Sequence, residues 1–119
     1  MAHSIVYPTY ERKCALLEAR KEKLQRKIED LQSDADMLDH EIMKYNEKLD
    51  HLKNKMPLVS YPPLMHKLSD EYDIELQQKK TLYEQVLNIK SEIATIIYDI
   101  EEMDLEVSRL SELTGIANT

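Results

Sequence analysis

The chain has 119 residues, a net charge of −7 and 33% charged residues. It contains one glycine and four prolines, and neither tryptophan nor phenylalanine. Globular domains draw on glycine, proline and asparagine for their turns, so this composition is typical of long exposed helices rather than a compact core. The negative charge argues against binding of the whole chain to a nucleic acid backbone.

The chain contains no run of about 20 apolar residues, the length that a membrane span needs. Its N-terminus also lacks the charged and apolar regions of a signal peptide. The lone Cys14 cannot form an intrachain disulfide, which is consistent with a reducing compartment. We therefore expect an intracellular protein, cytoplasmic or nuclear, without a membrane span.

Residues 1–8 show no helical period and are predicted to form a non-helical tail. Thr9 is a suitable N-cap for a helix that follows. Ile5, Val6 and Tyr7 form an apolar triplet in this tail. The triplet has two open interpretations, since it can bind a partner or pack against the first turn of the helix.

Residues 9–56 carry a seven-residue apolar repeat, which predicts a first coiled-coil helix. One row of the repeat, called d, contains Tyr10, Leu17, Leu24, Leu31, Leu38, Tyr45 and Leu52. The other row, called a, contains Cys14, Lys21, Ile28, Ala35, Ile42, Leu49 and Met56. Only Lys21 is neither apolar nor tyrosine, so seven heptads continue almost without interruption.

A proline-rich connector at 57–62 separates this helix from a second one predicted at 63–114, with a C-terminal tail at 115–119. In the second helix, the a row contains Met65, Tyr72, Lys79, Val86, Ile93, Ile100, Val107 and Thr114. The d row of this helix contains Leu68, Glu75, Leu82, Ile89, Ile96, Met103 and Leu110. Gly115 is expected to end the helix in the left-handed conformation. The seam residues Glu75 and Lys79 are four apart, which indicates either an ion pair or a loosened coil.

Charge indicates that the two helices pair within one chain. Segment 12–27 is rich in lysine and arginine, and segment 92–106 is acidic. A short connector makes the helices antiparallel neighbours and brings these segments together. The expected pairs are Lys13–Glu106, Arg20–Asp99, Lys27–Glu92 and Lys48–Glu71. The predicted fold is all-α, a long antiparallel two-helix coiled-coil hairpin within a larger helical bundle.

The second helix is apolar beyond its seam. The additional apolar residues, at the e and b positions of the heptad, are Leu76, Tyr83, Leu87, Ala94 and Ile97. Together with the seam they cover an arc of about 160°, wider than one neighbouring helix can bury. The e positions of the first helix are polar. These five residues are therefore predicted to contact another polypeptide, and they form the main candidate site.

Catalytic and metal-binding patterns are not found in the sequence. It has no glycine-rich phosphate loop, no paired cysteines and no zinc-protease motif. His40 and His51 share a helix face but lie about 16 Å apart along the axis, too far to bind one metal ion. We expect no enzymatic activity, cofactor, metal or small-molecule substrate.

Two chaperone families share general features with the chain. It resembles a prefoldin subunit in length and in its helix–connector–helix arrangement, although PLVSYPP is too short for the β-hairpins of that family. It resembles tubulin-folding cofactor A in size and charge, although that family has a third helix. The leading hypothesis is a scaffolding or adaptor subunit that binds partner helices in a cytoskeletal, kinetochore or trafficking assembly, in a hetero-complex rather than a homodimer. The alternatives are a small chaperone that clamps a client such as tubulin, and a homodimeric four-helix bundle.

Overall fold

A computed structural model describes the backbone of residues 3–118 and the side chains of residues 9–113. The chain forms α1 (His3–Lys55), a short 3-10 helix (Met56–Leu58) and α2 (Pro62–Asn118). The described residues contain no strand, and the two long helices pack against each other. The predicted antiparallel helical hairpin is therefore confirmed. Within the described residues, neither helix has a stretch long and apolar enough to cross a bilayer.

Prolines shape the connector between the two helices. Pro57 lies in the 3-10 helix, where the backbone N–H of Val59 donates to the carbonyl of Met56 over 3.2 Å. The carbonyl of Tyr61 then accepts from the N–H of Met65 over 3.0 Å, which is the first hydrogen bond of α2. Pro62 and Pro63 occupy the first two helical positions, where an N–H has no partner within the helix. The connector thus ends α1 in a 3-10 turn and begins α2 with two prolines at positions that need no N–H donor.

Both outer helix ends extend beyond the predicted boundaries. α1 begins at His3 rather than Thr9, and it passes through Pro8. α2 continues through Gly115 to Asn118, and no described residue has a positive φ, so the predicted left-handed ending does not form. The heptad pattern locates the part of a helix that packs, but it does not limit the helix length. A glycine in a helix costs only about 1 kcal/mol relative to alanine, so it does not by itself end a helix.

The seam follows the predicted heptads. Among the described side chains, all seven buried apolar residues are at a or d positions: Ala35, Leu49, Leu68, Val86, Ile96, Ile100 and Leu110. Every other described seam residue from Tyr10 to Leu110 is half-buried, except Met65, which is exposed. Burial of one narrow row on each helix is the packing expected of a two-stranded coiled coil. The lone Cys14 lies in this row and is half-buried, as a small apolar seam residue.

The chain divides into two compact units. The first contains the residues up to Leu31 and those from Glu92 onward, and the second contains Gln32–Ser91. In the first unit, Lys21 contacts Asp104 and Lys27 contacts Glu92. The residue number on α2 falls as the number on α1 rises, so the helices of this unit are antiparallel. The second unit contains the connector and the adjoining parts of both helices.

Candidate helix-binding surface

An exposed apolar surface lies on α2 in the second unit. We call it the Leu87 patch, and it consists of Leu76, Tyr83 and Leu87. Tyr83 is 55% exposed and Leu87 is 48% exposed, whereas Leu76 is half-buried at the edge of the seam. Tyr83 and Leu87 are four residues apart, which makes their side chains neighbours on one helix face. The structure therefore leaves this part of the predicted stripe accessible.

The heptad positions of the Leu87 patch explain why α1 does not cover it. The seam is formed by a and d, while Tyr83 is at e and Leu87 is at b, which lies about 130° from the seam centre. The e positions of α1 in this unit are Gln32, Asp39, Asn46 and Lys53. Only Asn46 of these is half-buried, and the others are exposed. The e positions beside the seam are therefore polar on α1 in this unit, whereas α2 has Leu76 and Tyr83 at its e positions.

Two lysines border the Leu87 patch. Lys80 is at a b position and Lys90 is at an e position, and both are exposed. They share the helix face of Tyr83 and Leu87, one toward each end of the patch. A partner that buries the patch must also accommodate these two positive charges.

The first unit contains the other two residues of the predicted stripe. Ala94 is exposed, and Ile97 is among the exposed large apolar residues. Two further residues on this part of α2 are more exposed, Tyr98 at 61% and Leu105 at 66%. We call these four residues the Tyr98 face. Tyr98 and Leu105 were not predicted from the sequence, because both are at f, the position opposite the seam. Two large apolar residues at successive f positions were the signal that could have revealed them.

Lys27 and Glu92 form the predicted ion pair at the side of the seam in the first unit. The Lys27 Nζ lies 3.3 Å from the Glu92 Oε1. Arg20 and Asp99 are another predicted pair. Both line one groove of about 320 Å³ between the helices of this unit, but they form no ion pair. The groove is also lined by Leu17, Leu24, Glu102, Met103 and Glu106.

The other two predicted ion pairs are corrected by the structure. Glu106 pairs with Arg109 on the next turn of α2, at 2.6 Å, instead of with Lys13. Lys48 lies over the ring of Tyr45, 5.3 Å from its centroid, instead of pairing with Glu71. Ion pairs between exposed long side chains contribute at most about 1 kcal/mol, so a local partner readily replaces a distant one.

An unpredicted ion pair accounts for the charged seam residue of α1. The Lys21 Nζ lies 2.7 Å from the Asp104 Oδ1. The hydrogen bond to Asp104 raises the pKa of Lys21, with a smaller contribution from the nearby charges, while desolvation acts in the opposite direction. α1 can accommodate a lysine at this seam position because Asp104 of α2 supplies a carboxylate partner.

Glu75 lacks such a partner in the second unit. Its Oε2 atom is buried and has no hydrogen-bond partner. The described ion pairs do not include Glu75 with Lys79, so the pair considered from the sequence does not form. A buried polar atom without a partner costs about 1–3 kcal/mol, which makes Glu75 a local weak point of the seam.

Other candidate features provide no additional site. No group of three or more histidine, cysteine, aspartate or glutamate residues within the described part of the chain could hold a metal ion. The predicted partner-binding residues Ile5, Val6 and Tyr7 lie outside the described side chains. Comparison of the chain with family models, curated proteins and solved structures finds no match. The Leu87 patch and the Tyr98 face are therefore the features from which function is inferred.

Proposed function

We propose that the protein is a non-catalytic coiled-coil adaptor that binds a partner helix on α2, as a subunit of a multiprotein assembly. The exposed Leu87 patch is the observation that carries the proposal, because an apolar surface next to a completed seam is typical of an interaction site. The assembly that we propose is a cytoskeletal, kinetochore or trafficking complex. The proposed role requires neither a cofactor nor a substrate.

Burial of the Leu87 patch supplies a driving force for association. Full burial of a large apolar side chain is worth about 1.5–3 kcal/mol. Tyr83 and Leu87 are each about half exposed, so a partner that buries the exposed half gains part of that free energy. An amphipathic helix can lie along α2 and place apolar side chains at matching intervals of three and four residues. The patch therefore suits helix-on-helix recognition.

Charge around the Leu87 patch favours a different polypeptide over a second copy. Lys80 and Lys90 are symmetric in sequence about the midpoint between Tyr83 and Leu87. An antiparallel two-fold contact centred on the patch would therefore place Lys80 opposite Lys90 of the second copy. Like charges at such positions repel. A heterologous helix with acidic residues beside its apolar row avoids this repulsion.

Site-specific photo-crosslinking in cells that express the protein tests the proposal. A photoreactive phenylalanine analogue is placed singly at Tyr83 or Leu87, and at Met37 or Met43 as matched controls. The control residues lie on α1 of the same unit and are 66% and 59% exposed, so they are at least as accessible. Mass spectrometry then identifies the polypeptide linked to each position.

We expect Tyr83 and Leu87 to link to one and the same partner polypeptide, through a helical segment with acidic flanks. We expect the two control positions not to link to it. Crosslinks to a second copy of this chain would instead support the homodimeric bundle. Crosslinks to many unrelated unfolded chains would support a chaperone that clamps clients. Equal crosslinking from α1 and α2 would contradict the proposed binding surface.

A further inference from the structure

The Tyr98 face places large apolar side chains where a coiled coil usually presents polar ones. Tyr98 and Leu105 are both at f, on the side of α2 opposite the seam, and both are more than 60% exposed. Ile97 and Ala94 extend this surface toward the seam. In a two-helix hairpin the f position is the one farthest from the partner helix and normally polar. Packing of α1 against α2 therefore leaves most of these two side chains exposed.

This part of α2 also carries an excess of negative charge. From Glu92 to Glu112 it contains seven carboxylates and one basic residue, Arg109. Ion pairs with α1 involve Glu92 and Asp104, and Arg109 pairs with Glu106. Three further carboxylates, Asp99, Glu101 and Glu102, form no ion pair with any described residue. The hairpin therefore neutralises only part of its acidic side.

The unpaired carboxylates border the apolar side chains. Glu101 lies three residues after Tyr98 and four before Leu105, and Glu102 lies four after and three before the same residues. With 100° per residue, the two carboxylates flank the line that joins Tyr98 to Leu105, one on each side. An apolar row with acidic edges is complementary to an apolar row with basic edges.

We propose that the Tyr98 face binds a basic amphipathic helix of another protein. Apolar side chains of that helix would cover Tyr98 and Leu105, and lysines or arginines would pair with Glu101 and Glu102. A second copy of this chain is a poorer occupant. In the second copy, the basic segment 12–27 directs the apolar seam residues of α1 toward α2 of the same copy. Leu16 is the only exposed large apolar residue in that segment.

The inference goes beyond the proposed function, and the two can fail separately. The Leu87 patch has lysines at its edges and suits an acidic helix, whereas the Tyr98 face suits a basic one. Loss of peptide binding at the Tyr98 face would leave crosslinking from Tyr83 unchanged. An adaptor with both surfaces would hold two helices of opposite charge preference.

Peptide binding to the full chain tests the inference. The probes are two synthetic 21-residue helical peptides with the same leucine row, one flanked by lysines and the other by glutamates. Fluorescence anisotropy measures the dissociation constant of each peptide at low and high salt. We expect the lysine peptide to bind at least about tenfold more tightly, a difference of about 1.4 kcal/mol. Its binding should weaken as salt screens the charges.

Charge-reversal variants locate the binding surface. Glu101→Lys with Glu102→Lys should abolish the preference for the lysine peptide. Glu41→Lys with Glu47→Lys is the matched control, because it makes the same change in net charge at exposed positions of α1. The control should retain most of the preference. Circular dichroism verifies that each variant remains helical.

Several outcomes would overturn the inference. Equal loss in both double variants would mean that the lysine peptide responds to net charge alone. Absence of lysine-peptide binding, or lysine-peptide binding that the Glu101 and Glu102 changes leave unaltered, would remove the Tyr98 face as a site for a basic helix. Sedimentation analysis that shows a dimer disrupted only by the Glu101 and Glu102 changes would identify a second copy as the occupant.

Discussion

The side chains of Lys21 and Asp104 meet across the two helices, with 2.7 Å between Nζ and Oδ1. Lys21 is at an a position of α1, where every other seam residue is apolar or tyrosine. A polar residue at such a position lowers stability but restricts the orientation and register of the helices. The pair meets only in the antiparallel arrangement that aligns these two residues. It therefore favours the observed register of the first unit.

Reversal of the two charges tests the role of this pair. Lys21→Glu and Asp104→Lys should each lower the thermal midpoint, because each places like charges together. The double variant should recover much of the loss by restoring the attraction. Lys23→Glu, at an exposed position two residues away, controls for the change in net charge. Thermal melting followed by circular dichroism gives the midpoints of the wild type and the four variants. A double variant no more stable than either single one would show that the pair does not couple the helices.

The Lys21 pair also predicts a pH dependence. The pKa of the Lys21 ammonium is raised in the folded chain, mainly by the hydrogen bond to Asp104, so folding favours the protonated lysine. The stabilisation is fully present below the ordinary lysine pKa of about 10.4 and is lost as pH rises through the folded value. The stability advantage of the wild type over Lys21→Met should therefore be constant near neutral pH. It should decrease above a pH of about 10. A difference that does not change with pH would contradict this assignment.

The sequence predicted the parts of the fold that burial determines. Leu68 and Val86 are buried because the heptad pattern puts them in the seam, and apolar burial is the largest stabilising contribution there. The helix ends at His3 and Asn118 were not predicted, because one turn of helix adds or removes little free energy. The ion pair of Lys21 was missed for a different reason, since the pairing rule compared only positions that flank the seam.

The candidate site was predicted in part. Tyr83 and Leu87 were found because they widen the apolar arc next to the seam. Tyr98 and Leu105 were not found, because they are at f, opposite the seam and beyond the b positions at which the predicted arc ended.

Glu75 offers a test of the polar seam in the second unit. Glu75→Leu removes a buried oxygen without a hydrogen-bond partner and restores an apolar d position. It should increase the free energy of unfolding by about 1–3 kcal/mol. Glu84→Leu, at an exposed f position, is the matched control and should change it by less than about 0.5 kcal/mol. Urea unfolding followed by circular dichroism measures both. An unchanged or lower stability of Glu75→Leu would show that the carboxylate is accommodated.

Truncation of leucines should separate the seam from the outer surface. Leu68 is buried at a d position, so Leu68→Ala should lower the free energy of unfolding by about 2–5 kcal/mol. Leu105 is largely exposed, and Leu105→Ala should change it by less than about 0.5 kcal/mol. The same urea unfolding experiment compares them. A large loss for Leu105→Ala would mean that this residue stabilises the hairpin itself, rather than serving as a binding residue.

The most direct test of the adaptor role is the affinity of the chain for the partner identified by crosslinking, measured with purified proteins. Tyr83→Glu with Leu87→Glu should lower the affinity by about 100-fold or more, since each change removes an apolar contact worth about 1.5–3 kcal/mol on full burial. Met37→Glu with Met43→Glu makes the same change in charge on α1 and should leave the affinity within a few-fold of the wild type. Both double variants should keep the helical content of the wild type, because none of the four residues lies in the seam. Unchanged affinity of the Tyr83 and Leu87 variant, with its helices intact, would contradict the proposal that the protein binds its partner through the Leu87 patch.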